Sequence, residues 1–193
     1  MKKILFYFIF AFFTYFQMDA QTYIEAFLYD TNVEVQIYQD SVSKKLLGVI
    51  CDDDSTENYC DIKIIKKYNT RFFVEVIDTD GKPLSGWIER KDLGVFVWPV
   101  HDWFRADSEK EKNVEKNEFQ LYAEPKREHL LYKFHVQDLK CSCSCQPGVG
   151  VVLDFSEDKE WVKLGCTLKD CIYVEGWTDS YCGNRYGSCE GWK

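Results

Sequence analysis

Histidine is scarce in this chain: His101, His129 and His135 are the only three among 193 residues, and none stands in a nucleophile motif. Helical periodicity is scarce too, so helix bundles and doubly wound folds are excluded in favour of short strands. Basic charge is in deficit, with 24 Lys and Arg against 32 Asp and Glu, a net charge of −8. That balance argues against nucleic-acid binding, which neutralises phosphates with Lys and Arg, and against docking on anionic lipid. Beyond residue 16 no run is long and apolar enough to cross a bilayer, for which about 20 residues are needed.

The one long apolar run opens the chain. Lys2 and Lys3 precede an apolar, aromatic stretch over 4–16, and Ala20 is small enough for a cleavage site. This order of charge, apolar core and small exit residue is that of a secretory signal peptide over 1–20. No cysteine lies near the cut, which argues against a lipidated N-terminus. Cleavage before Gln21 leaves 173 residues with 22 basic and 31 acidic side chains, a net charge of −9.

All nine cysteines follow that segment. In an oxidising compartment they are expected to form disulfides, and an odd number leaves at least one thiol over. Neighbour pairing gives Cys51–Cys60, Cys166–Cys171 and Cys182–Cys189, with Cys141, Cys143 and Cys145 remaining. Residues two apart on a strand sit about 6.5 Å apart at Cα, near the limit of a disulfide, so these three are expected to reach other segments. With His129 and His135 upstream, the trio also offers a zinc- or copper-type donor set. Structural zinc sites, however, space paired cysteines by two to four residues rather than one. No metal and no cofactor is therefore expected. The acidic loop 52–57 offers oxygens for calcium, but not at the spacing of the twelve-residue calcium loop.

Alternating apolar and polar residues mark strands at 32–38, 46–50, 61–65 and 72–77. Asp78-Thr79-Asp80-Gly81-Lys82-Pro83 is a turn, and Gly86-Trp87-Ile88 a closing strand, followed by one helical turn at 91–93. The charged stretch within 98–117 reads as a linker. Beyond it the order recurs. Phe119-Gln120-Leu121-Tyr122 matches Val35-Gln36-Ile37-Tyr38 at an offset of 84. Trp161-Val162-Lys163-Leu164 matches Phe73-Val74-Glu75-Val76 at 88, and Gly176-Trp177 matches Gly86-Trp87 at 90. A growing offset is what duplication followed by small loop insertions leaves behind. A third Gly-Trp, Gly191-Trp192, has no such strand before it.

Ile37-Tyr38, Val74-Glu75-Val76 and Gly86-Trp87-Ile88 with Leu93 resemble the bacterial SH3-type domain. Leu121-Tyr122-Ala123-Glu124-Pro125, Trp161-Val162-Lys163-Leu164 and Gly176-Trp177 resemble it more closely. Phe73 stands where that pattern has Trp, and Thr178 where it has a β-branched apolar residue. The resemblance implies an all-β fold of two tandem small SH3-like barrels, over 21–97 and a cysteine-rich 118–193. It also implies binding rather than catalysis.

Two readings of the tryptophans stay open: plugs at the ends of small barrel cores, or an exposed aromatic groove. The groove candidates are Tyr38, Trp87, Tyr122, Trp161, Trp177 and Tyr181, suited to sugar rings or an extended peptide. The expected protein is a secreted or periplasmic non-enzyme that binds a cell-wall peptide, a glycan or a protein. The alternative is a disulfide-stapled inhibitor or immunity-type protein acting on a protein partner.

Overall fold

A short strand with one apolar face cannot bury that face alone, and in this chain the strands pair edge to edge into one antiparallel sheet. The computed structural model describes residues 22–97, 118–135, 138–139 and 148–183. The expected signal segment 1–20, the charged linker 98–117, the thiols Cys141, Cys143 and Cys145, and Cys189 lie outside the described residues.

In the first half the strands are β1 (Ile24–Leu28), β2 (Val35–Tyr38), β3 (Leu46–Ile50), β4 (Asp61–Tyr68), β5 (Arg71–Ile77) and β6 (Pro83–Glu89). A 3-10 turn at Arg90–Asp92 leads into β7 (Leu93–Val97). The second half holds β8 (Glu118–Tyr122), β9 (Leu130–His135), β10 (Val149–Phe155), β11 (Val162–Thr167), β12 (Tyr173–Thr178) and β13 (Tyr181–Cys182). The sheet runs β3-β2-β6-β5-β4-β1-β7-β10-β11-β12-β8-β9, with β13 added on β7. Among the described residues there is no α-helix, and no helix long and apolar enough to cross a membrane.

Strand β7 belongs to both halves. It pairs with β1 through Leu28↔Leu93 and Phe27↔Gly94, with β10 through Phe96↔Val149 and Val95↔Gly150, and with β13 through Val97↔Tyr181. All five of its residues are buried, as an apolar run flanked by strands on both edges requires. A single apolar cluster accordingly spans the halves, holding Ile37, Ile64 and Phe72 together with Leu121, Val152 and Leu164. Each such side chain contributes about 1.5–3 kcal/mol by leaving water. Lys67 fastens the halves further, its Nζ donating to Asp154 Oδ1 and to the Phe155 carbonyl, both at 2.5 Å. Composition places a boundary at 97/98, and the buried cluster holds residues from both sides of it.

The halves carry matching pairings. Tyr38 bridges Trp87, and Tyr122 bridges Trp177. The β2–β3 ladder slips between Ile37 and Tyr38, and the β8–β9 ladder between Leu121 and Tyr122. Val74 faces Gly86, and Leu164 faces Gly176. This last register places Trp161 opposite the position of Arg71 rather than Phe73. The offset on β5 and β11 is thus 90, not the 88 read from residue type. Both glycines are dictated by crowding: a Cβ on Gly86 would lie 2.4 Å from Ile37 Cγ2, and one on Gly176 would lie 2.7 Å from Leu121 Cβ.

Two expected disulfides are not made. Cys51, Cys60, Cys166 and Cys171 are free thiols. The tip 52–59 is closed instead by a reciprocal backbone pair between Asp53 and Asn58, and by the buried Asp52 carboxylate accepting the Cys60 N–H at 2.8 Å. Both thiols turn to backbone: Cys51 Sγ donates to the Asp52 carbonyl and Cys60 Sγ to the Cys51 carbonyl. Cys166 faces the core from β11, whereas Cys171 is exposed in the following turn at φ +60°, so the two point apart. Cys182 is disulfide-bonded and packs in a small cluster with Phe27, Phe96 and Val149.

Candidate ligand-binding face

Alternation along β6 decides where the tryptophan goes. Gly86 and Ile88 face the core, so Trp87 faces outward and is half-exposed. The same holds for Trp177 between Gly176 and Thr178 on β12. Neither tryptophan lies in the buried core, so the plug reading fails. The core holds instead rings the plug reading did not name, Phe72 and Phe119, both fully buried.

Around Trp87 the first half builds a continuous aromatic surface. Phe73, its cross-strand partner, meets it edge-on with ring centroids 5.5 Å apart, and Tyr68 does so at 6.5 Å. Lys66 extends over both, its Nζ 4.8 Å from the Phe73 centroid and 5.6 Å from that of Trp87. Lys66 and Tyr68 are exposed, Phe73 half-exposed. Tyr38 stands beside Trp87 in the ladder and carries the Arg71 guanidinium 3.7 Å from its ring centroid. Periodicity did not single out Phe73, Tyr68 or Lys66. The signal was present in the alternation of Lys66 and Tyr68 along β4, which puts both on one face.

Arg71 anchors one border of this face. It is nearly buried, and donates from Nε to Glu89 (2.7 Å) and from Nη1 to the carbonyls of Asp40 (3.1 Å) and Ser43 (2.6 Å). The β2–β3 loop is thereby tied to β5. Within that loop Asp40 accepts from the Ser43 hydroxyl and from the amides of Ser43 and Val42, and these bonds bring its carboxyl down to about 2.

The second half fills the equivalent positions with different chemistry. Asp154 pairs with Lys163 where Lys66 pairs with Phe73. Lys163 is ion-paired to Glu175 at 2.9 Å. Trp161, in the Arg71 position, packs edge-on against Tyr122 at 5.8 Å. Tyr122 is buried, and burial pushes its hydroxyl pKa up. Tyr181 is buried as well, its hydroxyl donating to the Lys159 carbonyl at 3.0 Å. Of the six expected groove residues, the structure joins Tyr38 with Trp87 on one face and Tyr122, Trp161 and Trp177 on another, and it withdraws Tyr181 into the core.

Among the described residues the other donor candidates lie apart. His129 and His135 are exposed at the two ends of the β9 region. The Asp53 carboxylate is taken up by Ser55 and Thr56, and Asp54 accepts from Thr31. Among the described residues no group of three or more His, Cys, Asp or Glu side chains is arranged to hold a metal ion. No family model, no curated protein and no solved structure matches the chain.

Proposed function

We propose that this is a secreted or periplasmic, non-catalytic binding protein built from two SH3-like units that share strand β7, and that the surface around Trp87 holds its ligand. The carrying observation is the outward-facing set of half-buried Trp87 and Phe73 with exposed Tyr68, under Lys66. Rigid aromatic faces beside a cation suit a carboxylate-bearing peptide or a glycan, which stack on rings and pair with the ammonium group. The SH3-like reading is supported by a first strand paired to the strand after a 3-10 turn, and by the β4–β5–β6 meander between them. Internal duplication is supported by the matched bridges and ladder slips of the two halves.

The class of ligand implied by the family resemblance is cell-wall peptide, glycan or protein. Retention on purified peptidoglycan tests it. Binding that is lost in Trp87→Ala and weakened in Lys66→Glu is expected; no retention of the parent chain contradicts the wall-binding version.

A second reading, an inhibitor or immunity-type partner of another protein, is favoured by the two ends of the sheet. Edge strand β3 exposes Leu46, Leu47 and Val49, and edge strand β9 exposes Leu130, Leu131 and Tyr132. Open apolar edges accept a strand from a partner. Stoichiometric co-purification of one protein from native extract, abolished by charged substitutions at Leu47 or Leu131, would favour this reading.

A further inference from the structure

We infer that the cleft between the halves is a second ligand site, one that takes a small carboxylate. The cleft has a volume of about 560 Å³ and lies where the 3-10 turn meets β10, β11 and β12, a size suited to a small molecule. It shares Glu89 with the border of the aromatic face but contains none of that face's rings.

Its charged lining consists of Glu89, Arg90, Lys91, Asp154, Lys163 and Glu175. Every acid among them already has a cation from this chain. Glu89 is held by Arg71 at 2.7 Å, Asp154 by Lys67 at 2.5 Å and Glu175 by Lys163 at 2.9 Å. Arg90 and Lys91 make no ion pair among the described residues. In a protein with a net charge of −8, two adjacent cations that stand outside the ion pairs of the described residues, with Asp92 the acid nearest Lys91 in charge, favour an anion in this cleft.

Arg90 is also held in a fixed pose. Its guanidinium lies 4.9 Å from the Phe72 ring centroid, and Nη1 donates to the Leu153 carbonyl at 2.6 Å, while Nε has no partner. Nε is buried, so the guanidinium meets a carboxylate through its Nη edge, and the flexible Lys91 beside it adds charge. Three lining carboxylates disfavour a dianion, so a singly charged carboxylate fits better than phosphate.

The test is an NMR titration of the full chain with acetate, with phosphate and chloride as separate arms at matched ionic strength. Saturable amide shifts centred on 89–91 and 153–154 are expected with acetate, with a midpoint on the order of 10 mM for so small a probe. Arg90→Lys, which keeps the charge and loses the fork, should weaken binding about tenfold. The exposed Lys91→Gln should weaken it about threefold without touching the packing of Arg90. Absence of saturation, shifts unchanged in both variants, or tighter binding of phosphate than of acetate would each overturn the assignment. These outcomes are independent of peptidoglycan retention, which reads the Trp87 face.

Discussion

The slot beside the opening tyrosine is filled by a cation in one half and by an aromatic ring in the other. Arg71 lies over Tyr38, and Trp161 packs against Tyr122. The consequences spread across both outer faces. Arg71 spends its donors on the β2–β3 loop and Glu89, which leaves Trp87, Phe73 and Tyr68 as a surface facing water. In the second half Trp161 consumes the tyrosine face, and Lys163 with Asp154 replaces the aromatic–cation pair. One backbone scheme thus carries a face built to meet a ligand and a face largely satisfied by itself.

Breaking the element that the halves share should have the largest effect. Val95→Asp puts a charge into β7 at a position with no exposure, and a buried unpaired charge is among the few changes that cost more than about 4 kcal/mol. Chemical denaturation of the parent chain should show one transition by far-UV circular dichroism and by tryptophan fluorescence. Val95→Asp should remove structure from both halves together. Survival of one half would mean that the halves fold independently.

Next comes the exchanged slot itself. Arg71→Ala leaves two carbonyls and Glu89 without a donor and should cost about 2–3 kcal/mol, since bonds to charged groups are the strong ones. Trp161→Ala loses one edge-on ring contact and some buried area, and should cost about 1–2 kcal/mol. The closing glycines rank below these. Gly86→Ala meets Ile37 and, at 2.9 Å, the rigid Tyr38 carbonyl; Gly176→Ala has 3.1 Å to the Tyr122 carbonyl. Both should destabilise by about 1–3 kcal/mol, Gly86→Ala the more. Equal midpoints in urea for the two variants would count against the close packing at Gly86.

The smallest effects are local. Desolvation pushes the thiols of Cys60 and Cys166 up to about 12, and only a thiolate attacks an alkylating reagent. Native-state alkylation at neutral pH should therefore modify exposed Cys171 and spare Cys60 and Cys166, as read by peptide mass. Asp40, lowered to about 2, contributes order to the β2–β3 loop that is fully present above the ordinary carboxylate range. That order is lost only as pH falls through about 2. Amide shifts of residues 39–45 should hold between pH 4 and 3, and Asp40→Asn should show the loosened loop already at neutral pH.

Much of the strand order was legible in residue alternation: 46–50, the strands within 61–68 and 71–77, the turn at 78–83 and the Gly-Trp strands. What was missed follows from how the signal works. β1 and β7 are continuous apolar runs, Ala26-Phe27-Leu28 and Val95-Phe96-Val97, buried from both sides, so they carry no alternation to detect. The shared core was hidden for the same reason, because it is organised by β7. Matching Trp161 with Phe73 by residue type gave a register two residues off, since strand pairing sets Trp161 at the position of Arg71, a residue of unlike type. Cysteine spacing predicted two pairs the fold does not make. Spacing carries no information on whether two side chains point to the same side, and Cys166 and Cys171 do not.

Trp87 and Trp177 occupy equivalent positions, and only the first sits within an aromatic–cation surface. The direct test is retention of Trp87→Ala and Trp177→Ala on the same peptidoglycan and native-extract ligands, alongside the parent chain and with folding verified by circular dichroism. Loss of binding in Trp87→Ala with Trp177→Ala near the parent level is the expected result. Equal loss in both variants, or retention unaffected by Trp87→Ala, would contradict it.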